Sequence, residues 1–377
     1  MVEISNMTGN TVTHLAIYLP TLNGGGAERA MLNLAHGISE RGCIVDLVLA
    51  QAQGPYLSEV RESIRIEDLK ASRVLTSLPN LARYLRRVRP QVLLSALDYA
   101  NVVALWARYL SGVPVRVIVN EQNTISRSAF NSARRRQRMV PHLARLFYPW
   151  ADYIIGNSQG VAEDLSRVTR IPKEHIEILY NPVVTRDLRE KAHAPLNHPW
   201  FESDQPPVIL AVGRLTKQKD FPTLIQAVGQ VRKTRQVRLI ILGEGPDRNA
   251  LEGLVNKLGL GDCVALPGFV ENPYAYMNQA SLFVLSSLWE GLPTVLIEAL
   301  YCGRPIISTD CPSGPREILA NGRYGRLIPL ADVKALTQAI EAGLMDEIPP
   351  PNAESWQPYS METVVDQYLG LMSNGSR

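Results

Sequence analysis

Residues 281–310 read SLFVLSSLWEGLPTVLIEALYCGRPIISTD. SLFVLSS (281–287) is an uncharged run of Leu, Phe and Val, the composition of a strand buried on both faces. Trp289–Pro293 is a Gly- and Pro-bearing turn, and Pro293 suits the first position of a helix, where no N–H is needed. LPTVLIEAL (292–300) is a helix apolar on nearly every side, and PIISTD (305–310) is a second short strand. Strand, helix and strand within about thirty residues make a βαβ unit. Such units build parallel sheets covered by helices on both faces.

The same alternation runs through the whole chain. In the first half HLAIYLP (14–20), IVDLVLA (44–50), QVLLSA (91–96), VRVIVN (115–120) and DYIIGNS (152–158) read as strands, separated by amphipathic stretches such as 27–42 and 73–88. In the second half VILAVGR (208–214), VRLIILGEG (237–245), CVALPGF (263–269) and GRLIPL (325–330) join the two strands above. A length of 377 residues, 46% of them apolar, suits two domains of roughly 150–200 residues. The fold class is therefore α/β, with two Rossmann-like domains. The expected limits are 1–192 for the N-terminal domain, a Pro-rich polar linker over 193–207, a C-terminal domain over 208–347, and a C-terminal segment and helix (348–377) free to pack back on the first domain. In such sheets ligands sit beyond the carboxyl ends of the strands, so the site is expected in the cleft between the domains.

The net charge of +3 is unevenly spread. Residues 1–195 hold 24 Lys/Arg against 17 Asp/Glu, a surplus of +7, and the remainder holds 15 against 19, or −4. The basic half points to an anionic partner. No apolar run reaches the ~18–20 residues of a membrane span, and no secretory leader is evident. The four cysteines are scattered without metal-binding spacing, which suits reduced thiols.

Several turns are candidates for chemistry. NGGGAE (23–28) follows the first strand and opens a helix; Gly25 and Gly26 would let backbone N–H groups approach an oxyanion, though a tight strand-to-helix turn reads equally well. It does not match G-x-G-x-x-G, which disfavours a nicotinamide-dependent dehydrogenase. VGRLTKQKD (212–220) ends a strand with Arg214 and then delivers Lys219, with Lys217 as an alternative cation; Arg and Lys from one loop can hold a diphosphate. LGEGPDR (242–248) presents Gly243 and Glu244 in another Gly-rich turn. Glu290 reads as an exposed acid near the free N–H groups of a helix start. Glu298 lies inside a mostly apolar helix, where a carboxylate needs donors such as sugar hydroxyls.

Glu290-x7-Glu298 within E-G-L-P-x-x-x-x-E-A resembles the signature of retaining GT-B glycosyltransferases of family 4. GGGAE, VGRL…K, GEGP, GFV (268–270), GRPIISTD (303–310), SGPREIL (313–319) and G-x-x-G-x-L (322–327) occur in the family's order over nearly the whole chain. The resemblance implies a GT-B fold, with two domains facing across a central cleft. It also implies that Arg214 and Lys219 bind the donor diphosphate, that Glu290 holds donor-sugar hydroxyls and that Glu298 holds the ribose diol. Backbone N–H groups of Gly291, Leu292, Pro293, Thr294 and Val295 (Pro293 contributing none) would line sugar and phosphate, Gly268, Phe269 and Val270 would lie beside the base, and Gly25 and Gly26 would close the site from the other domain.

The chain departs from the family at one place. Many members carry a His near the reacting centre, where this chain has Glu121, Gln122 and Asn123. No D-x-D sequence occurs, so the resemblance implies transfer without a metal or other cofactor. The segment 126–150 carries Arg134, Arg135, Arg136 and Arg138 with aromatics at its end, which suits an anionic membrane surface; no nucleic-acid recognition motif is present. The expected function is transfer of a hexose or N-acetylhexosamine from a nucleotide diphosphate sugar, UDP-linked, with retention, to a saccharide or polyprenyl-diphosphate saccharide in bacterial-type glycan assembly. The expected location is the cytoplasm, peripheral on the inner face of the cell membrane. Two alternatives stand beside it: a sugar-nucleotide epimerase of the same architecture, and a non-catalytic sugar-nucleotide-binding scaffold subunit.

Overall fold

The computed structural model describes residues 13–131 and 137–373, and the chain forms two compact units. The first runs to Asn157, resumes over Val161–Pro182 and takes in the chain from Met361; the second comprises Ser158–Gly160 and Val183–Ser360. Each is a parallel sheet between helices.

The first sheet is built from β1 (His14–Leu19), β2 (Ile44–Leu49), β3 (Arg65–Asp68), β4 (Val92–Ala96), β5 (Arg116–Glu121), β6 (Tyr153–Gly156) and β7 (Ile176–Ile178), in the order β3-β2-β1-β4-β5-β6-β7. The second contains β8 (Val208–Val212), β9 (Arg238–Leu242), β10 (Val264–Gly268), β11 (Leu282–Leu285), β12 (Ile306–Thr309) and β13 (Arg326–Ile328), in the order β10-β9-β8-β11-β12-β13. In each, the central strands are fully buried apolar runs, as continuous apolar character requires when helices cover both faces. The sequence reading missed β3 and β7. Both lie at sheet edges; β3 is RIED with no buried residue and β7 has three residues. An edge strand needs no apolar run, so periodicity gives it no signal.

The unit limits differ from the expected ones. The helix Arg186–Ala192 belongs to the second unit. So does the stretch expected as a linker: His198 and Phe201 pack edge-on against Tyr276, and the Arg238 guanidinium lies over Trp200. Aromatic side chains in a Pro-rich stretch give it a surface to dock, so it does not act as a free spacer. The segment 348–360 also stays with the second unit, where Ile348 joins the core and Trp356 packs on Tyr301.

The C-terminal helix, Met361–Ser373, is part of the first unit and buries Val364, Val365, Tyr368 and Met372 at helical spacing. It lies so close to the Gly26–Glu40 helix that a Cβ on Gly37 would stand 2.5 Å from Val365 Cγ2. Tyr368 is fully buried, and its hydroxyl accepts from Asn120 Nδ2 of β5 at 2.7 Å. Tyr368→Phe leaves that buried amide short of a partner and should destabilise the chain by about 1–3 kcal/mol. A lowered midpoint in urea denaturation is the expected result; an unchanged midpoint would show that the bond adds nothing.

Candidate active site

The strand order of the second sheet turns around between β8 and β11, the place where open α/β sheets leave a crevice beyond their carboxyl ends. Two loops leave the sheet there, 213–220 after β8 and 286–293 after β11. They are joined by a buried ion pair. Lys219 Nζ lies 2.6 Å from Glu290 Oε1, with side chains 14% and 8% exposed. Ser287 Oγ donates to the same oxygen at 2.6 Å, and Gln218 Nε2 reaches Oε2 at 3.3 Å and Trp289 O at 2.8 Å. Leu288 N–H donates to Gln218 O, and Ser286 Oγ donates to Lys219 O. Three donors compensate the burial of this carboxylate, whereas removing one partner of such a pair exposes the other's desolvation penalty.

Glu290 therefore does not cap the following helix, and it is not exposed. That helix runs from Thr294 to Tyr301 with Pro293 at its cap position, one residue earlier than expected for a first helical residue, and no side chain caps it. Gly291, Leu292, Pro293, Thr294 and Val295 form its entry, and Gly291 O accepts from Ser313 Oγ at 3.2 Å. Glu298 is half-buried within it. Gln218 and Ser287 are the residues that sequence reading passed over; both lie inside motifs that drew attention for their charges, and only the fold shows that they bracket Glu290.

Arg214 is exposed and makes no ion pair among the described residues. Gly243 has φ +136°, and a Cβ there would lie 2.1 Å from Gly213 O, so the β8 and β9 exits pass in contact. Glu244 is taken by Arg248, whose guanidinium holds both carboxylate oxygens at 2.7 and 2.9 Å and lowers its pKa. Gly268, at φ +91°, faces Glu244, while Phe269 is 80% exposed and Val270 half-buried. Among the described residues no group of three or more His, Cys, Asp or Glu is placed to hold a metal ion.

The other candidates lie in the first unit. Gly25 precedes the Gly26–Glu40 helix, and the Glu28 carboxylate folds back over it. At the end of β5, Glu121 and Gln122 are buried, and only Asn123 is exposed. Gln122 donates to Asn120 Oδ1, and its own Oε1 accepts from Asn157 and Asn181 at 3.1 and 2.8 Å. Both side chains are thus buried and bonded within the unit's own polar network. Arg134, Arg135 and Arg136 lie outside the described residues; Arg138 is exposed.

Glu121 accepts from the Tyr148 hydroxyl at 2.8 Å, beside Asn101 and Asp98. Burial, and then the charge of Asp98, hold its carboxyl well above the usual range. A carboxyl raised in the folded state adds stability that is complete below the unfolded pKa and is lost as pH rises toward the folded value. The melting temperature of the wild type relative to Glu121→Gln should therefore fall as pH rises above about 4.3, the ordinary Glu value. Parallel melting curves across pH would contradict the assignment.

Residues 24–187 match Glycosyltransferase Family 4, and residues 197–362 match Glycosyl transferases group 1. The N-acetylgalactosamine-N,N'-diacetylbacillosaminyl-diphospho-undecaprenol 4-alpha-N-acetylgalactosaminyltransferase of Campylobacter jejuni is 32% identical over 348 residues, covering 88% of this chain and 90% of that protein. The lipopolysaccharide core biosynthesis glycosyltransferase LpsE of Rhizobium meliloti is 26% identical over 362 residues, covering 93% and 96%. Among solved structures, Anabaena Alr3699/HepE in complex with UDP superposes with a TM-score of 0.78 at 18% identity, covering 96% of this chain and 100% of that one. The apo form of the lipopolysaccharide outer core galactosyltransferase WaaB gives 0.72 at 21%, covering 94% and 98%. The structural likenesses establish the GT-B fold. Both halves match in order and one relative aligns over nearly its whole length, so the chain belongs to the group 1 glycosyltransferases of the family 4 type.

Proposed function

We propose that the chain transfers a hexose or N-acetylhexosamine from a UDP-linked sugar to a saccharide borne on a lipid diphosphate, with retention at the anomeric carbon and without a metal. The observation that carries this reading is the buried Lys219–Glu290 pair at the switch point of the second sheet, with Arg214 exposed on the same loop. A diphosphate leaving group develops negative charge as the glycosidic bond breaks. Arg214 can meet it directly, and Lys219 can share its ammonium between Glu290 and a phosphate oxygen. The second oxygen of Glu290 is bonded only weakly by Gln218 and is the one available to sugar hydroxyls. Glu298 takes the ribose diol.

In the reaction the acceptor oxygen bonds to the anomeric carbon while the bond from that carbon to the diphosphate breaks on the same face. The acceptor proton passes to the departing phosphate oxygen, so no protein nucleophile is required. Asn123, exposed at the end of β5, is the member of its loop available to substrate. The names of the Campylobacter and Rhizobium relatives, which specify an undecaprenyl-diphosphate saccharide and a lipopolysaccharide core, support a lipid-linked acceptor. With such an acceptor the enzyme works peripherally at the inner face of the cell membrane. Among the described residues no helix is long and apolar enough to cross one.

Two measurements test this reading. Arg214→Ala and Lys219→Ala should each lower turnover by about 10²–10³, with wild-type activity unaffected by EDTA; near-normal turnover, or loss on chelation with rescue by Mn²⁺, would overturn the roles. Calorimetric titration with UDP should show weaker binding for Glu298→Gln and nearly unchanged binding for Glu290→Gln, because UDP carries the ribose and lacks the sugar. Glu290→Gln should instead lower kcat. Equal loss of UDP affinity in both variants would make the pair a support for the Thr294–Tyr301 helix.

A further inference from the structure

On the first unit, the end of the Asp98–Ser111 helix meets the Val140–Phe147 helix and the turn Tyr148–Trp150 that follows it. Four large apolar side chains stand out into solvent there: Tyr109 is 76% exposed, Leu146 62%, Leu110 49% and Trp150 45%. The Tyr109 and Trp150 rings meet at a tilt, 5.9 Å between centroids; Leu110 follows Tyr109 in the chain, and Leu146 lies four positions before Trp150. The face is rigidly backed, because Phe147 packs edge-on to both Trp150 and Trp106 at 5.0 and 5.1 Å. Arg108, paired with Asp152, donates to Trp150 O at 3.0 Å. Between Tyr109 and Trp150 lies a cavity of about 370 Å³, also walled by Leu105, Val113 and Pro114.

A contiguous apolar face of this kind on a soluble surface marks an interaction site. Its electrostatic setting selects the partner. From Gln122 to Ala151 the chain holds six arginines and no acid, and Arg145 is exposed on the same helix as Leu146 without an ion-pair partner among the described residues. Tyr and Trp favour the boundary between headgroups and acyl chains, leucines favour the acyl side, and arginines favour anionic headgroups. A second copy meeting this face symmetrically would set two basic surfaces against each other. We propose that this face inserts into the surface of an anionic lipid bilayer, with Tyr109, Leu110, Leu146 and Trp150 as the apolar anchor and the cavity receiving part of a lipid chain. The inference deepens, and rests on, the reading of a lipid-linked acceptor.

The test is cosedimentation of the full chain with vesicles of phosphatidylcholine alone and of equimolar phosphatidylcholine and phosphatidylglycerol, at low and at high salt. The wild type should prefer the anionic vesicles and keep part of its binding at high salt, since apolar insertion is not screened. Tyr109→Ser/Leu146→Ser/Trp150→Ser should weaken binding on the order of tenfold or more and abolish the salt-resistant part. Tyr109→Ser alone, at a side chain mostly in solvent, should give a smaller loss in the same direction and guards against misfolding of the triple variant. Vesicles with brominated acyl chains should quench tryptophan fluorescence in the wild type and less in Trp150→Phe.

Hydrolysis of the UDP-sugar should be unchanged in every variant. Salt-resistant binding that survives the triple substitution, binding wholly removed by salt, or no vesicle binding at all would each overturn the proposal. So would self-association, or binding to an RNA or DNA oligonucleotide, that these substitutions abolish in place of vesicle binding. Vesicle binding as expected in a protein that hydrolyses no UDP-sugar would overturn the proposed transfer and leave this surface standing; hydrolysis without vesicle binding would do the reverse.

Discussion

The Lys219–Glu290 pair joins two loops that leave neighbouring strands at the point where the second sheet reverses its order. Each charge is nearly out of water, and neither is tolerable there alone. Gln218 and Ser287 complete the arrangement by bonding the carboxylate, and the Ser286 hydroxyl and the Leu288 N–H tie the two loops together by donating to backbone carbonyls. The position of Glu290 is thus set before any ligand arrives. In the proposed transfer, a carboxylate and ammonium held in this way would cost no reorganisation as charge develops. Arg214 differs in kind: it is exposed and makes no ion pair among the described residues.

The first unit solves a different problem. Its polar interior at the end of β5 is a connected set of amides running from Tyr368 through Asn120 and Gln122 to Asn157 and Asn181. These bonds tie the loop after β5 to the C-terminal helix, while Asn157 Oδ1 and Asn181 Oδ1 are buried without a hydrogen-bond partner. Gln122, in the loop that follows β5, is bonded to the interior of its own unit. Beside it the buried Glu121 accepts from Tyr148, and burial, with the charge of Asp98, holds its carboxyl well above the usual range.

Sequence periodicity carried the α/β class and most strands, because buried parallel strands have to be apolar throughout and the helices between them have to be amphipathic. The motif residues Arg214, Lys219, Glu290 and Glu298 were legible because Gly and Pro mark strand-to-helix turns and because a carboxylate in an apolar helix is conspicuous. Other features left no such mark. β3 and β7 are edge strands without an apolar run, and the aromatic stretch before β8 looks like a spacer until Tyr276 and Arg238 are seen beneath it.

By itself the sequence determined the layer architecture, the order of the strands along the chain and the identity of the charged residues at the turns, since each of these depends on local composition and spacing. Only the tertiary structure decided which of those charges meet. That Lys219 faces Glu290, 71 positions further along the chain, that Glu121 and Gln122 turn inward, and that Tyr109 meets Trp150 on the surface all depend on contacts between segments far apart in the chain. Burial and partnership are properties of the packed molecule, and no local pattern encodes them.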